Sequence, residues 1–169
     1  MHLVKKDNLP SSRETDIILA IGGTVYLLQF FVLLFFFNLQ ANTVVLGIGW
    51  ILIAPAFLMQ LMAVSKLISK DAPEAGNQEG EPSLVDTGIY GIVRHPLYVG
   101  WAMMTVAMAL ISQNLASIMM CVVQIIAISV LTSKEEKTNS ETFEGYASYR
   151  ERVPMVNVVA GCYRQMKTR

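Results

Sequence analysis

The sequence predicts an all-α integral membrane protein with about four transmembrane helices. Two long stretches, 17–37 and 38–65, contain no charged residue. A helix needs about 20 mostly apolar residues, within a range of roughly 17 to 25, to cross a bilayer. Only 15% of the 169 residues are charged, whereas a typical soluble domain has about 25%. The chain is therefore expected to be embedded in a membrane.

The first half of the chain contains two of the predicted transmembrane helices. Residues 1–16 form a polar arm of mixed charge, and the first helix is expected over 17–37. This apolar stretch is longer than the core of a signal peptide, which has only about 7 to 15 residues. The second helix is expected over 43–68, with a kink at Pro55. Residues 17–68 are thus predicted to be a pair of transmembrane helices.

The second half of the chain predicts a loop, a helical hairpin and a tail. Residues 71–83 are rich in Pro, Gly and acidic residues, a composition typical of a solvated loop. Pro96 suits the first position of a helix, so a third helix is expected from 96 to about 111. A fourth helix is expected from 115 to about 133. The two form a re-entrant-like hairpin, and a polar, partly helical tail follows.

The distribution of cations predicts the orientation of the chain. Six of the 13 Lys and Arg residues precede the third helix, and seven lie from Lys134 onward. The connections 38–42 and 112–114 contain none. Cations in short loops are retained on the cytoplasmic side of a membrane. With four crossings, both termini and the 66–95 segment are therefore expected in the cytoplasm.

The segment 84–101, LVDTGIYGIVRHPLYVGW, is the candidate functional centre. The third helix spans only about 24 Å of a hydrocarbon core of about 30 Å, so its start should lie below the headgroups. A helix N-terminus attracts an anion such as a carboxylate, and Arg94 and His95 reinforce this attraction. Alternatively, Arg94 is a cation whose side chain extends to the membrane interface, and His95 only caps the helix.

Two adjacent carboxylates, Glu135 and Glu136, directly follow the predicted fourth helix. Counting along the hairpin from Gln113 places them about 10 Å further toward the cytoplasm than Tyr98. They are therefore expected to overhang the corner and to leave room for a cationic ligand group in between. The alternative is that both carboxylates lie on a helix face that is exposed to water and bind no ligand.

Three residues of the tail are expected on one helical face, because Tyr146, Tyr149 and Arg150 are spaced at i, i+3 and i+4. Such a face would close over the same site, or it would pack a surface helix onto the membrane. Both alternatives place the face near the membrane surface.

Several other kinds of site have no support in the sequence. Cys121 and Cys162 have neither metal-ligand spacing nor a disulfide framework, so no metal is expected. The formal net charge is zero, which suggests no nucleic-acid partner. His2 and His95 are the only histidines, so Ser/His/Asp catalysis is poorly supported. There is also no P-loop or HExxH motif.

The motif TGIYGIVRHPLYVGW is followed by KEE and then by FEGYASYRERVP. This series resembles the isoprenylcysteine carboxyl methyltransferase and phospholipid methyltransferase families of membrane enzymes. The resemblance covers about residues 84–156 and makes 69–169 the expected catalytic region. It implies S-adenosylmethionine as methyl donor in a cytosol-facing pocket, and a lipid, isoprenylated or small apolar acceptor from the membrane.

The resemblance also implies roles for individual residues. The residues implied to bind the cofactor are Val85, Gly88, Ile89, Tyr90, His95, Pro96, Tyr98, Gly100, Glu135 and Glu136. Those expected to act in catalysis are Arg94, Tyr98 and Arg150. The helix start suits the carboxylate of the donor, and a glutamate suits its ammonium or ribose hydroxyls. The spacing from Phe143 to Tyr146 is one residue shorter than is common in these families.

Two other classes of function fit parts of the sequence. A nicotinamide-dependent membrane reductase is one, because sterol reductases share a related corner and hairpin. A non-enzymatic membrane subunit is the other, and the shortened tail spacing is its support. The sequence leaves the acceptor open among a lipid, an isoprenylated peptide end, a thiol and a small amine. Methylation on oxygen, nitrogen or sulfur and the oligomeric state are open as well.

Overall fold

Helices make up all the regular secondary structure in the part of the chain that the structure describes. The computed structural model describes residues 12–36, 38, 40–68 and 84–167. The α-helices in these ranges are α1 (Ser12–Phe35), α2 (Thr43–Ile68), α3 (Pro96–Ser112), α4 (Leu115–Thr142), α5 (Tyr146–Arg152) and α6 (Val158–Lys167). A short 3-10 helix, Gly88–Gly91, precedes α3. The predicted all-α class is confirmed.

Three helices are long and apolar enough to cross a membrane, namely α1, α2 and α4. Helix α3 is also apolar but has only 17 residues. Large apolar side chains cover the outside of these helices; Leu27 is 70% exposed and Ile51 is 73% exposed. Such a surface suits hydrocarbon rather than water. The protein is thus an integral membrane protein, and the count of four crossings stays a prediction.

The predicted helix boundaries hold for α2 and α3 but not for α4. Helix α4 continues nine residues beyond the predicted end at Ser133, as far as Thr142. Its polar extension begins Lys-Glu-Glu-Lys, and these residues are good helix formers. A helix therefore need not end where its apolar part ends. Helix α1 begins inside the predicted arm, while residues 1–11 of that arm and the loop predicted over 71–83 lie outside the described residues.

Helices α2 and α3 approach each other closely at two glycines. A Cβ atom on Gly49 would lie 2.6 Å from Cγ1 of Ile111, and one on Gly100 would lie 2.7 Å from Cγ of Gln60 and 3.0 Å from the carbonyl oxygen of Ala56. Small residues permit this kind of packing between membrane helices. The glycines thus bring the two helices into contact and fix the start of α3.

A buried polar network joins α1 to α3 and α4. The amide of Gln29 donates to the carbonyl oxygen of Thr105 over 2.9 Å and to Oγ of Ser117 over 3.2 Å. Its Oε1 accepts hydrogen bonds from Oγ1 of Thr105 and from Nε2 of Gln124, the latter over 2.7 Å. Oε1 of Gln124 accepts from Nε1 of Trp101 over 2.8 Å. Polar groups within a membrane must be satisfied internally, so this network fixes α1 on the hairpin.

The turn between α3 and α4 is fixed by side chains. Gln113 ends α3 with a left-handed backbone, at φ 45°. Its side-chain amide exchanges two hydrogen bonds with the backbone of Asn42, of 2.8 and 2.9 Å. Asn114 caps α4 by accepting from the backbone N–H of Ala116. The expected hairpin turn is present and is tied to the connection between α1 and α2.

Candidate active site

The tail is held against the corner that precedes α3 by two backbone hydrogen bonds. The N–H of Arg94 donates to the carbonyl oxygen of Pro154 over 3.1 Å, and the N–H of His95 donates to that of Met155 over 3.3 Å. Helix α3 then begins at Pro96, which has no N–H to satisfy. The corner and the tail thus form one unit, although about 60 residues separate them in the sequence.

Glu136 on α4 lies at the centre of this unit. Its Oε1 accepts hydrogen bonds from Nε2 of His95 over 2.6 Å and from the hydroxyl of Tyr146 over 2.8 Å. Its Oε2 lies 3.2 Å from Nη1 of Arg94. The Glu136 side chain is only 15% exposed, and a carboxylate in such a position needs partners of this kind. Glu136 therefore joins the corner, α4 and α5.

Glu135, the neighbouring carboxylate, is much more accessible. Its Oε1 accepts from the hydroxyl of Tyr98 over 2.6 Å, and its Oε2 lies 3.4 Å from Nδ1 of His95. The side chain is 44% exposed. The expected ligand-sized gap between Tyr98 and the glutamates is therefore wrong. The long tyrosine and glutamate side chains bridge the distance between the backbones.

Arg94 is buried with unused hydrogen-bonding capacity. Its side chain is 7% exposed, and Nη1 lies close to Glu136 without the geometry of a hydrogen bond. Nε has no hydrogen-bond partner among the residues that the structure describes. A buried N–H group without an acceptor costs about 1 to 3 kcal/mol. The arginine is thus buried rather than snorkelling, and its free donors suit an anionic ligand.

A cavity of about 640 Å³ adjoins these groups, a size typical of small-molecule sites. The predicted site residues that line it are Val85, Tyr90, Arg94, His95, Pro96, Tyr98 and Glu135. Tyr146 and Tyr149, the two tail tyrosines, line it as well. The structure therefore brings together most of the residues that the sequence motifs indicate.

Five of the predicted residues lie outside the lining of this cavity. Gly88 starts the 3-10 helix with a positive φ of 64°, and Ile89 is buried in an apolar cluster. Gly100 faces α2. Glu136 acts through its hydrogen bonds to the corner. Arg150 follows the two buried tyrosines on α5 but is itself exposed.

The tyrosines around the cavity are held in their neutral form. Burial raises the pKa of Tyr146 to about 12, and the carboxylate of Glu136 adds to this effect. Burial also raises the pKa of Tyr149, whose hydroxyl donates to the carbonyl oxygen of Tyr90 over 2.7 Å. Burial and Glu135 raise the pKa of Tyr90. These phenols therefore remain hydrogen-bond donors across the physiological pH range.

Helix α1 contributes lining residues that the motifs do not indicate. Thr15 and Asp16, on its first turns, border the cavity. An ion pair of 2.7 Å between Glu14 and Lys134 holds this end of α1 against α4. The nearly uniform apolar sequence of α1 does not show which face packs inward. The hydroxyl of Thr15 and the carboxylate of Asp16, at the start of this apolar helix, were the sequence signal that could have placed them at the cavity.

The fold and the site define an integral membrane protein with a ligand-sized cavity at one end of its helices. The cavity wall combines a buried arginine, an accessible carboxylate and apolar side chains. A family model described as phospholipid methyltransferase matches residues 43–145. This range is well over half of the chain, and the chain belongs to that family of membrane methyltransferases. Comparison with curated proteins and with solved structures gave no match.

The matched range does not include the whole site. It contains the corner, the hairpin and both glutamates, and it ends at residue 145. Helix α1 and the two tail tyrosines lie outside it, although they border the same cavity. Within the described ranges, no group of three or more His, Cys, Asp or Glu side chains is placed to hold a metal ion.

Proposed function

We propose that the protein is an S-adenosylmethionine-dependent methyltransferase whose acceptor is a lipid, an isoprenylated molecule or a small apolar molecule. The observation that carries this proposal is the buried Arg94 guanidinium with unused donors, beside the accessible carboxylate of Glu135 in one cavity. Membership of a methyltransferase family supports the reaction class. The donor and the acceptor class are our inference.

The residues at the cavity fit the charges of this cofactor, which carries a carboxylate and an ammonium group. The free N–H groups of Arg94 and the start of α3 would hold the carboxylate. Glu135 would accept hydrogen bonds from the ammonium or from the ribose hydroxyls. Glu136 already has three partners, so we assign it the role of positioning Arg94 and His95.

The protein's contribution to catalysis is orientation in a dry site. When bound, the cofactor supplies a methyl group activated by its sulfonium charge. Tyr98 holds Glu135 in place through a 2.6 Å hydrogen bond, and apolar side chains such as Leu84 and Phe143 border the cavity. Holding both reactants in line in a site without water lowers the barrier. No covalent nucleophile is needed, and Arg150, outside the cavity, has no assigned contact with the donor.

The acceptor is proposed to enter from the bilayer. Leu67 on α2 and Leu97 on α3 both line the cavity, and they are 50% and 36% exposed. Exposed leucines on membrane helices contact hydrocarbon, so this margin of the cavity would admit an apolar chain. The cation distribution supports a cytoplasmic location for the opposite, polar margin and for both termini.

Isothermal titration with S-adenosylmethionine in detergent tests the proposal. We expect binding to the wild type, and binding weakened about tenfold or more by Arg94→Gln, since a charge-assisted hydrogen bond is worth about 1.5 to 3 kcal/mol. Arg150→Gln is the matched control, because this arginine is exposed, and it should bind normally. A folded wild type that does not bind the donor would refute the proposal. Thermal protection by NADPH alone would favour a reductase instead.

A further inference from the structure

Helix α6, at the end of the described tail, has one face that packs on the rest of the protein. Val158 contacts a buried cluster that includes Ala63 of α2 and Val93 of the corner. Gly161 lies so close to the backbone of Ile92 that a Cβ atom there would overlap its carbonyl oxygen. This contact fixes α6 in position and also fixes the direction in which its other faces point.

A second face of α6 is apolar and uncovered. Val159, Tyr163 and Met166 are 80%, 64% and 71% exposed, and their spacing of i, i+4 and i+7 places them in one stripe. These are among the most exposed large apolar side chains of the described residues. The protein interior does not account for them, because the helix is already anchored through Val158 and Gly161.

A third face of α6 is basic. Arg164 and Lys167 are exposed, and Nη1 of Arg164 donates to the carbonyl oxygens of Glu151 and Arg152. With about 3.6 residues per turn, the packed, apolar and basic faces lie roughly a third of a turn apart. A helix that packs sideways on the protein thus has the apolar stripe on one side and the cations on the other.

Helix α6 lies at one end of the apolar helices α2 and α3. Val158 packs on the cluster that contains Ala63, five residues before the end of α2, and Gly161 approaches Ile92, four residues before the start of α3. The end of α2 itself exposes Ile68 at 77%. Helix α6 therefore lies at the level where lipid-facing helix surfaces give way to the polar corner and tail.

We infer that α6 is an interfacial helix whose apolar stripe inserts into the surrounding bilayer and whose cations contact anionic phospholipid headgroups. Amphipathic helices with this division of charge lie in the plane of the membrane surface. A cation near an anionic lipid surface is attracted to it. This surface lies outside the matched family range and outside the cavity, so the inference is independent of the proposed methyl transfer.

Spin labelling of the full chain in vesicles tests this inference. Val159→Cys, Tyr163→Cys and Met166→Cys would each be labelled in a background with Cys121→Ser and Cys162→Ser, which removes the two free cysteines. Lys167→Cys is the matched control on the basic face. Collision of the label with oxygen and with a water-soluble nickel complex would be measured in phosphatidylcholine vesicles, and in vesicles that also contain phosphatidylglycerol.

We expect the ratio of oxygen to nickel accessibility to be several-fold higher at the three stripe positions than at 167. Phosphatidylglycerol should raise this ratio further at position 163, and Lys167→Gln should reduce that increase. Nickel access to the stripe in both kinds of vesicle would overturn the inference, because the stripe would then face water. Exclusion of both reagents would also overturn it, since the stripe would then be covered by protein, such as a second copy. An unchanged ratio on adding phosphatidylglycerol would overturn the headgroup contact.

Discussion

His95 and Glu136 are joined by a hydrogen bond of 2.6 Å between Nε2 and Oε1, across 41 positions of the sequence. Glu136 also holds the hydroxyl of Tyr146 and lies close to Arg94. A single carboxylate thus fixes the start of α3, the end of α4 and the start of α5. Glu135, one residue earlier, is the carboxylate that remains accessible from the cavity.

The variant Glu136→Gln should lower the stability of the protein as well as its affinity for the donor. The amide retains an acceptor but leaves the buried Arg94 without its charge partner, at a cost of about 1.5 to 3 kcal/mol. Thermal unfolding in detergent, followed by circular dichroism, should show a lower midpoint. Glu141→Gln, on the exposed side of α4, is the control and should leave the midpoint unchanged. Equal midpoints for both variants would contradict the central role of Glu136.

Glu135→Gln should instead affect binding far more than stability. This side chain is 44% exposed, so its loss of charge is largely compensated by water in the unliganded protein. Titration with the donor should show affinity reduced about tenfold, in keeping with the loss of one charge-assisted hydrogen bond, while the unfolding midpoint stays close to that of the wild type. A drop in stability as large as that of Glu136→Gln would show that the two glutamates share one role.

The variant Gln29→Leu should destabilise the packing of α1. It removes the acceptor that Oε1 of Gln29 provides for Nε2 of Gln124 and Oγ1 of Thr105 inside the membrane, at a cost of about 1 to 3 kcal/mol. Unfolding by sodium dodecyl sulfate in mixed micelles measures this loss. Thr24→Val is the control, because Thr24 is exposed on the same helix and bonds only within it, to Ala20. A similar small effect of both variants would mean that the network contributes little to stability.

Two glycines of α2 should respond to alanine in opposite directions. A Cβ atom on Gly49 would lie 2.6 Å from a side-chain atom of Ile111, whereas one on Gly47 meets nothing within 4 Å. Gly49→Ala should therefore destabilise by about 1 to 3 kcal/mol through overpacking. Gly47→Ala should be neutral or stabilising by up to about 1 kcal/mol, because alanine has the higher helix propensity. The same detergent unfolding assay should rank the variants in this order.

The raised pKa of Tyr146 predicts a loss of stability at alkaline pH. Its pKa rises from 10.0 to about 12 in the folded protein, so the folded state binds the phenolic proton more tightly than the unfolded state. The resulting stabilisation is fully present below pH 10 and is lost as the pH rises toward about 12. The unfolding midpoint should fall less steeply over this interval in Tyr146→Phe than in the wild type.

The features of the fold that follow from local chemistry were predictable. The bounds of α2 follow from its long apolar sequence, which Lys66 closes, and the start of α3 follows from Pro96. Counting residues along the hairpin placed Glu135 and Glu136 on the side of the corner, but it did not predict that Tyr98 bonds Glu135 directly. These predictions rest on short-range rules of helix geometry, which the surroundings of a residue rarely change.

The remaining features depend on side-chain packing, which no local pattern specifies. The different environments of Glu135 and Glu136 arise from a difference of one residue in helical phase. The position of Asp16 at the cavity depends on how α1 packs, and α1 is apolar on nearly every side. The exposure of Arg150 depends on the direction in which Gly145, with its positive φ of 82°, sends the chain into α5. Long-range contacts decide each of these.

The Gln29 network has a consequence for how the chain enters the membrane during synthesis. Helix α1 is made before α3 and α4, so Gln29 is already in the bilayer when they arrive with Thr105, Ser117 and Gln124. Leaving each of these polar groups without a hydrogen-bond partner in hydrocarbon is costly. The side-chain amide of Gln29, already in the membrane, offers them both a donor and an acceptor. The first helix, although outside the matched family range, would then act as a template for inserting the helices that carry the site.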